Sequence, residues 1–331
     1  MLFQTSLVYS REGISYRSEL KHAIEAVEKG AILCEYPSNG WGSVPEMWKL
    51  QQKLDSLATP GELCKLADDH LNGALIICVA FKLLIPRDPG MAKEIMFSSL
   101  SDDRYLSISY CDVHDGISVA DYMISKTTRT QDAQRPIFTR RDSMKLDSMI
   151  IFTPKANETF YFRELMDRLE PRAEYYERLH VIFADKNTKA LQGIARYRCD
   201  DDKPLIISSL MKYNDGLAKD GSRDKSPDYE YMNSALQAVV EWPDNAFLAP
   251  IAKLINMELK RKYFDYYRIK LIYEALMSYD NNNSYNMIDN VLSVAEGSVL
   301  KYHKSILKEA YDDKPRERYK PLIEKYCQDV D

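Results

Sequence analysis

The chain has 331 residues, 45% of them hydrophobic and 29% charged, which is enough apolar material for two average domains or one elongated repeat array. Its net charge of −5 and pI of 5.7 disfavour a general binder of nucleic acid or anionic membrane, which would carry a basic excess. The start, Met1 to Glu12, lacks the basic and apolar regions of a signal peptide, and the longest apolar run, Ala74 to Ile85 broken by Lys82, is too short to span a bilayer, so a soluble cytoplasmic protein is expected.

In chain order, Leu20, Ala23, Ile24 and Val27 share one face and predict a helix over 16–29. The Pro, Gly, Ser and Asn of 35–48 predict a loop, and it carries Trp41 and Trp48. A helix is expected from Pro45 to Leu57, followed at Thr59-Pro-Gly61 by a turn whose Thr and Pro suit a helix start. Leu71 to Ile85 reads as a strongly apolar, sandwiched helix. Pro86 to Pro89 breaks it, with Asp88 as N-cap and Pro89 at N1 of a second helix that continues over Met91 to Leu100.

Residues 101–150 interrupt the helical pattern. Tyr105 to Cys111 alternates with period two, as a short strand does. Val119 to Ser125 suits either a helix turn or a strand, and Thr127 to Lys145 reads as a polar, locally basic loop. Helical periodicity resumes over Thr159 to Leu169 and Tyr175 to Ala184. One pattern is then written three times, as Ala190-Leu-Gln-Gly-Ile-Ala-Arg-Tyr197, Ala235-Leu-Gln-Ala-Val-Val-Glu-Trp242 and Ile272-Tyr-Glu-Ala-Leu-Met-Ser-Tyr279. Each copy ends in an aromatic residue, and Asp200 to Asp202, Asp244 or Asp280 follows before another apolar run. Ala218 to Asp228 is expected to be an exposed loop between neighbouring units. Val299 to Ala310 and Pro315 to Tyr326 form a last pair, in which Asp313-Lys-Pro315 repeats Asp202-Lys-Pro204.

These are helix–turn–helix units in tandem, at the roughly 33–45-residue period of two-helix arrays. One amphipathic pair cannot bury its apolar face alone, so pairs stack. The junction Asp is expected to cap the second helix and the preceding aromatic to plug the turn end of the core.

The pattern resembles HEAT repeats. Val79-Ala-Phe-Lys-Leu-Leu84, Leu100-Ser-Asp-Asp103, Cys111 and Val119-Ala-Asp-Tyr122 also resemble a segment of uncharacterised bacterial HEAT-like proteins. The resemblance implies an all-α fold: a right-handed α-solenoid of HEAT-like helix pairs with an irregular insertion near 101–150. The expected division is an N-terminal cap or divergent repeats over 1–65, a HEAT-like repeat with the insertion over 66–150, and a C-terminal repeat array over 151–331. Such arrays serve as scaffolds, as transport factors and in a few cases as enzymes, so no functional residue carries over.

Chemistry-bearing motifs are sparse. The six cysteines form no CxxC pair and read as reduced core thiols. Tyr110-Cys-Asp-Val-His-Asp115 gathers metal-ligand types but has no second cluster at ligand spacing, so no metal site is assigned. The five histidines stand apart from any nucleophile motif, and Walker A, GxSxG, HExxH and GxGxxG are all missing. No catalytic residue or cofactor is therefore assigned.

The candidate partner-binding residues are Trp41 and Trp48, as interface anchors or as an inward-folded cap, and Arg135, Arg140, Arg141 and Lys145, as a grip on phosphates or an acidic surface or as a solvated loop. The expected function is a non-catalytic protein-binding scaffold or adaptor, of which a toxin-neutralising immunity protein is one form, holding another protein on the concave face. The alternative is a nucleic-acid-binding or base-excision-type enzyme that uses the Arg135–Lys145 stretch.

Overall fold

The computed structural model describes residues 16–37, 44–110, 113–128, 138–212, 227–259 and 265–328. Trp41, Cys111, Arg135 and the greater part of the expected 218–228 loop lie outside them. The described chain is mostly helical, at 72% helix, with one small sheet. It forms two compact units that meet at Phe162/Arg163.

The first unit runs α1 (Ser18–Glu28), β1 (Ile32–Cys34), α2 (Glu46–Leu57), α3 (Pro60–Asp68), α4 (Ala74–Leu84), α5 (Pro89–Ser98), β2 (Tyr105–Tyr110), β3 (Val113–Ser118), α6 (Val119–Thr128) and α7 (Arg140–Phe152). Its centre is α4. Ile76, Ile77, Cys78, Val79, Ala80, Phe81 and Leu84 are all buried there, because α1, α3, α5 and α6 pack around it. Helix starts follow local chemistry. Thr59 and Glu62 close a reciprocal capping box on α3, and the Asp88 carboxylate accepts from the Met91 N–H with Pro89 at N1.

The sheet has the order β1-β2-β3. β2 alternates as expected, with Leu106 and Ile108 buried while Tyr105 and Ser107 are exposed. It pairs antiparallel with β3, Tyr105 opposite Ser118, and parallel with β1, Leu33 opposite Ile108. The 101–150 region is thus joined to the N-terminal segment by a strand pair. Val119 to Ser125 is helical, within α6. The expected polar loop to Lys145 gives way to helix at Arg140, where Thr139 and Asp142 form a second capping box.

The boundary between the units falls inside α8 (Phe160–Arg168). The second unit continues with α9 (Ala173–Ala184), α10 (Ala190–Ala195), α11 (Lys203–Met211), α12 (Pro227–Glu241), α13 (Leu248–Glu258), α14 (Tyr266–Ser278), α15 (Asn282–Val294), α16 (Gly297–Asp313) and α17 (Lys320–Tyr326). The first helices of successive pairs pack on one another, α10 on α12, α12 on α14 and α14 on α16. The second helices α11, α13 and α15 do the same, over one continuous apolar core.

The junctions work differently from the sequence expectation. Asp244 alone behaves as expected, accepting from the Ala246 N–H. Asp202 turns its buried carboxylate to the Tyr176 hydroxyl at 3.0 Å and to His180 Nε2 at 3.1 Å, and burial pushes its pKa up. Asp280 ends α14 in the left-handed region, φ 47°, and the cap of α15 is Asn281. The expected match of Asp202-Lys-Pro204 to Asp313-Lys-Pro315 also fails, because Asp313 ends α16 and Pro315 precedes the next turn. The counterpart of Lys203-Pro-Leu-Ile206 is Lys320-Pro-Leu-Ile323, each opening a second helix after a 3-10 turn.

The junction aromatics do more than plug. Tyr279 donates its hydroxyl to the Asp244 carbonyl at 2.7 Å, and Tyr197 donates to the Arg172 carbonyl at 2.7 Å while accepting from the Arg172 N–H. Tyr319 reaches the Leu276 carbonyl at 3.1 Å. Trp242 has no hydroxyl and instead packs edge-on against Phe247. Lys203 bridges Asp200 and Asp244, and Arg318 pairs with Asp280, so each turn is tied to a turn earlier in the chain.

Candidate functional site

Two polar constellations stand out, one in each unit. In the first unit Glu35 follows β1 and is buried at 9% exposure. Its Oε1 accepts from the Tyr122 hydroxyl of α6 at 2.9 Å, and its Oε2 meets Lys126 and, at 3.7 Å, Lys82 of α4. Lys82 also donates to the Cys34 carbonyl at 2.8 Å and to Gln51 Oε1 at 3.3 Å, and lies 4.8 Å over the Trp48 ring. Burial holds the Lys82 ammonium below the usual lysine range and Lys126 adds to that effect, while Glu35 opposes it. Two cations on one carboxylate make a lock that joins β1, α2, α4 and α6.

Of the residues expected to bind a partner, Trp48 belongs to this cluster, half-buried on α2. Trp41 and Arg135 lie outside the described residues. Arg140 and Arg141 are exposed on the first turn of α7. Lys145 follows one turn later, over the Phe97 ring at 3.9 Å and 3.7 Å from Glu94. At the start of α7 the Asp142 carboxylate accepts from the Thr139 N–H and hydroxyl and from Lys93, and these bonds bring its carboxyl down to about 2 against the effect of burial.

The second constellation is a cleft of about 330 Å³ in the second unit, walled by one side chain or more from each of α8, α10, α12 and α14. Asp167, Gln192, Gln237, Glu241, Tyr267, Lys270, Glu274 and Lys314 supply its polar lining, and Val240 and Leu271 its apolar floor. Part of the lining is internally bonded. Gln192 Nε2 donates to Asp167 at 3.1 Å and to Glu241 at 3.3 Å, Arg196 pairs with Glu241 at 2.8 Å, and Lys189 donates to Gln237 at 2.9 Å. Lys270 is taken up by Glu309 and Asp313, at 2.7 and 2.6 Å.

Glu274 differs from its neighbours. It is half-buried and makes no hydrogen bond or ion pair to the described residues, and burial raises its carboxyl pKa although Lys270 and Lys314 lie within electrostatic reach. Tyr267, two turns earlier on α14, is 49% exposed. Sequence reading missed this cleft because its residues come from helices that stand far apart in the chain. The available signal was the recurring Leu-Gln of the repeated pattern, which places Gln192 and Gln237 at equivalent positions.

Among the described residues, no group of three or more His, Cys, Asp or Glu is placed to hold a metal ion, and no helix is long and apolar enough to cross a membrane. No family model, curated protein or solved structure matches the chain.

Proposed function

We propose that the protein is a non-catalytic binding scaffold whose second unit is a right-handed HEAT-like solenoid, and that it holds a partner protein in the cleft across the first-helix layer. The observation that carries this reading is the cleft itself. Successive helix pairs contribute equivalent positions to one polar groove with an exposed tyrosine, as a surface built by repetition does. Tyrosine supplies rigid, amphipathic contact area at low entropic cost. The polar groups around it are tied to one another rather than arranged as nucleophile and base, which supports binding over catalysis.

The test is a photo-cross-linker placed at position 267 of the full chain in its native cells, with Ser208 on the exposed side of α11 as the control position. A single protein captured at 267 and missing at 208 supports the scaffold. Nucleic acid at 267, or the same products at both positions, refutes it.

A further inference from the structure

The cleft has a chemical preference that its lining states. Glu274 is a carboxylate drawn partly out of water without receiving a hydrogen bond in exchange, a costly arrangement that a cationic donor would relieve. Asp167 and Glu241 use one oxygen each for Gln192 and Arg196, and their second oxygens keep acceptor capacity. Of the two lysines that line the cleft, Lys270 is neutralised by Glu309 and Asp313, and Lys314 is exposed at the end of α16. Lys189 and Arg163 oppose the acidity around Asp167 and Tyr267, and Lys270 and Lys314 temper that of Glu274, so the point of preference is the carboxylate that burial leaves without a hydrogen bond. The ring of Tyr267, two turns earlier on α14, offers an aromatic face in the same cleft.

We infer that the cleft-facing side of α14 is a seat for an arginine side chain of the partner protein, its guanidinium bonded to Glu274 and stacked on Tyr267. Guanidinium matches the site better than ammonium does. It is planar and weakly hydrated, it stacks on aromatic rings, and its fork of five donors can serve carboxylates that approach from different helices. The inference rests on the scaffold reading of the same cleft.

The experiment uses the full chain and fluorescein-labelled Gly-Gly-Arg-Gly-Gly, read by fluorescence anisotropy at low salt. Matched peptides carry citrulline, which keeps the shape without the charge, or lysine, which keeps the charge without the fork. The arginine peptide is expected to bind about tenfold or more tighter than citrulline and measurably tighter than lysine. Glu274→Gln should abolish the preference over citrulline, and Tyr267→Leu should weaken arginine binding, each with an unchanged circular dichroism spectrum.

Equal binding of arginine and citrulline peptides, or a preference that survives in Glu274→Gln, overturns the seat. Equal binding of arginine and lysine overturns the choice of guanidinium. The two proposals fail separately. A partner cross-linked at 267 without arginine preference removes only this inference, whereas arginine binding without any cross-linked protein removes the scaffold.

Discussion

Replacing Glu35 by Gln removes one charge from the lock in the first unit while keeping an acceptor for the Tyr122 hydroxyl. The Glu35 side chain is 5% exposed and those of Lys82 and Lys126 are 17% and 29% exposed, so the two ammonium groups would be left together in a largely dry site. Stranding a buried charge costs about 3–5 kcal/mol. Both lysine side chains keep some exposure, which places the expected loss at the low end, about 3 kcal/mol. Hydrogen exchange of the α4 amides, measured against denaturant, reads the first unit apart from the second. Adding Lys126→Met to Glu35→Gln should recover part of the loss, because one cation leaves with its counter-charge. A loss below about 1 kcal/mol, the size expected of an exposed pair, would refute the reasoning. So would a double variant no more stable than the single one.

Three further outcomes follow from the second unit. His303 is fully buried with Nδ1 2.7 Å from the Tyr273 hydroxyl, and burial pushes its pKa from 6.5 down to about 4. The unfolded chain therefore takes up a proton that the folded chain refuses. Stability should fall as pH drops from about 6.5 to about 4, by up to roughly 3 kcal/mol, and His303→Gln should flatten that slope in denaturation midpoints. An unchanged slope would count against it. Tyr279→Phe should cost about 1 kcal/mol in urea unfolding, and Tyr197→Phe somewhat more, because Tyr197 both donates to and accepts from the Arg172 backbone. Lys186 stands at φ 72° where α9 closes, with Asn187 N–H on the Ile182 carbonyl and Lys186 N–H on that of Phe183. Glycine suits that position, so Lys186→Gly should raise the melting temperature, with a gain of about 0.5–1 kcal/mol.

What could be read in advance was what is written locally. Asp88-Pro89, Thr59-Pro60 and the alternation of β2 each carry their own instruction, and each forms as expected. β1 was missed because three residues give no periodic signal, and its strand identity comes from β2, far along the chain. Helix α7 was missed because Thr139-Arg-Arg-Asp142 is polar, and a capping box reads like a solvated loop until its reciprocal bonds are seen. The false match of Asp313-Lys-Pro315 had the right letters at the wrong place in the unit, since the Pro that opens α17 is Pro321. Neither polar constellation was legible. Glu35, Lys82 and Lys126 are brought together by tertiary packing alone, as are Asp167, Gln192 and Glu241.

The turn-to-turn ties of the second unit have a consequence for how its sequence can vary. Tyr197, Tyr279 and Tyr319 reach main-chain carbonyls 25, 35 and 43 residues earlier. A carbonyl is the one acceptor that every residue type supplies. The tie to the carbonyl therefore makes no demand on the side chain at the receiving position, while the sending tyrosines are held to a hydroxyl at a fixed reach. Tolerance is one-sided: letters can be exchanged at the receiving turn with the tie intact, and an array built this way can keep its geometry long after its copies have stopped resembling one another.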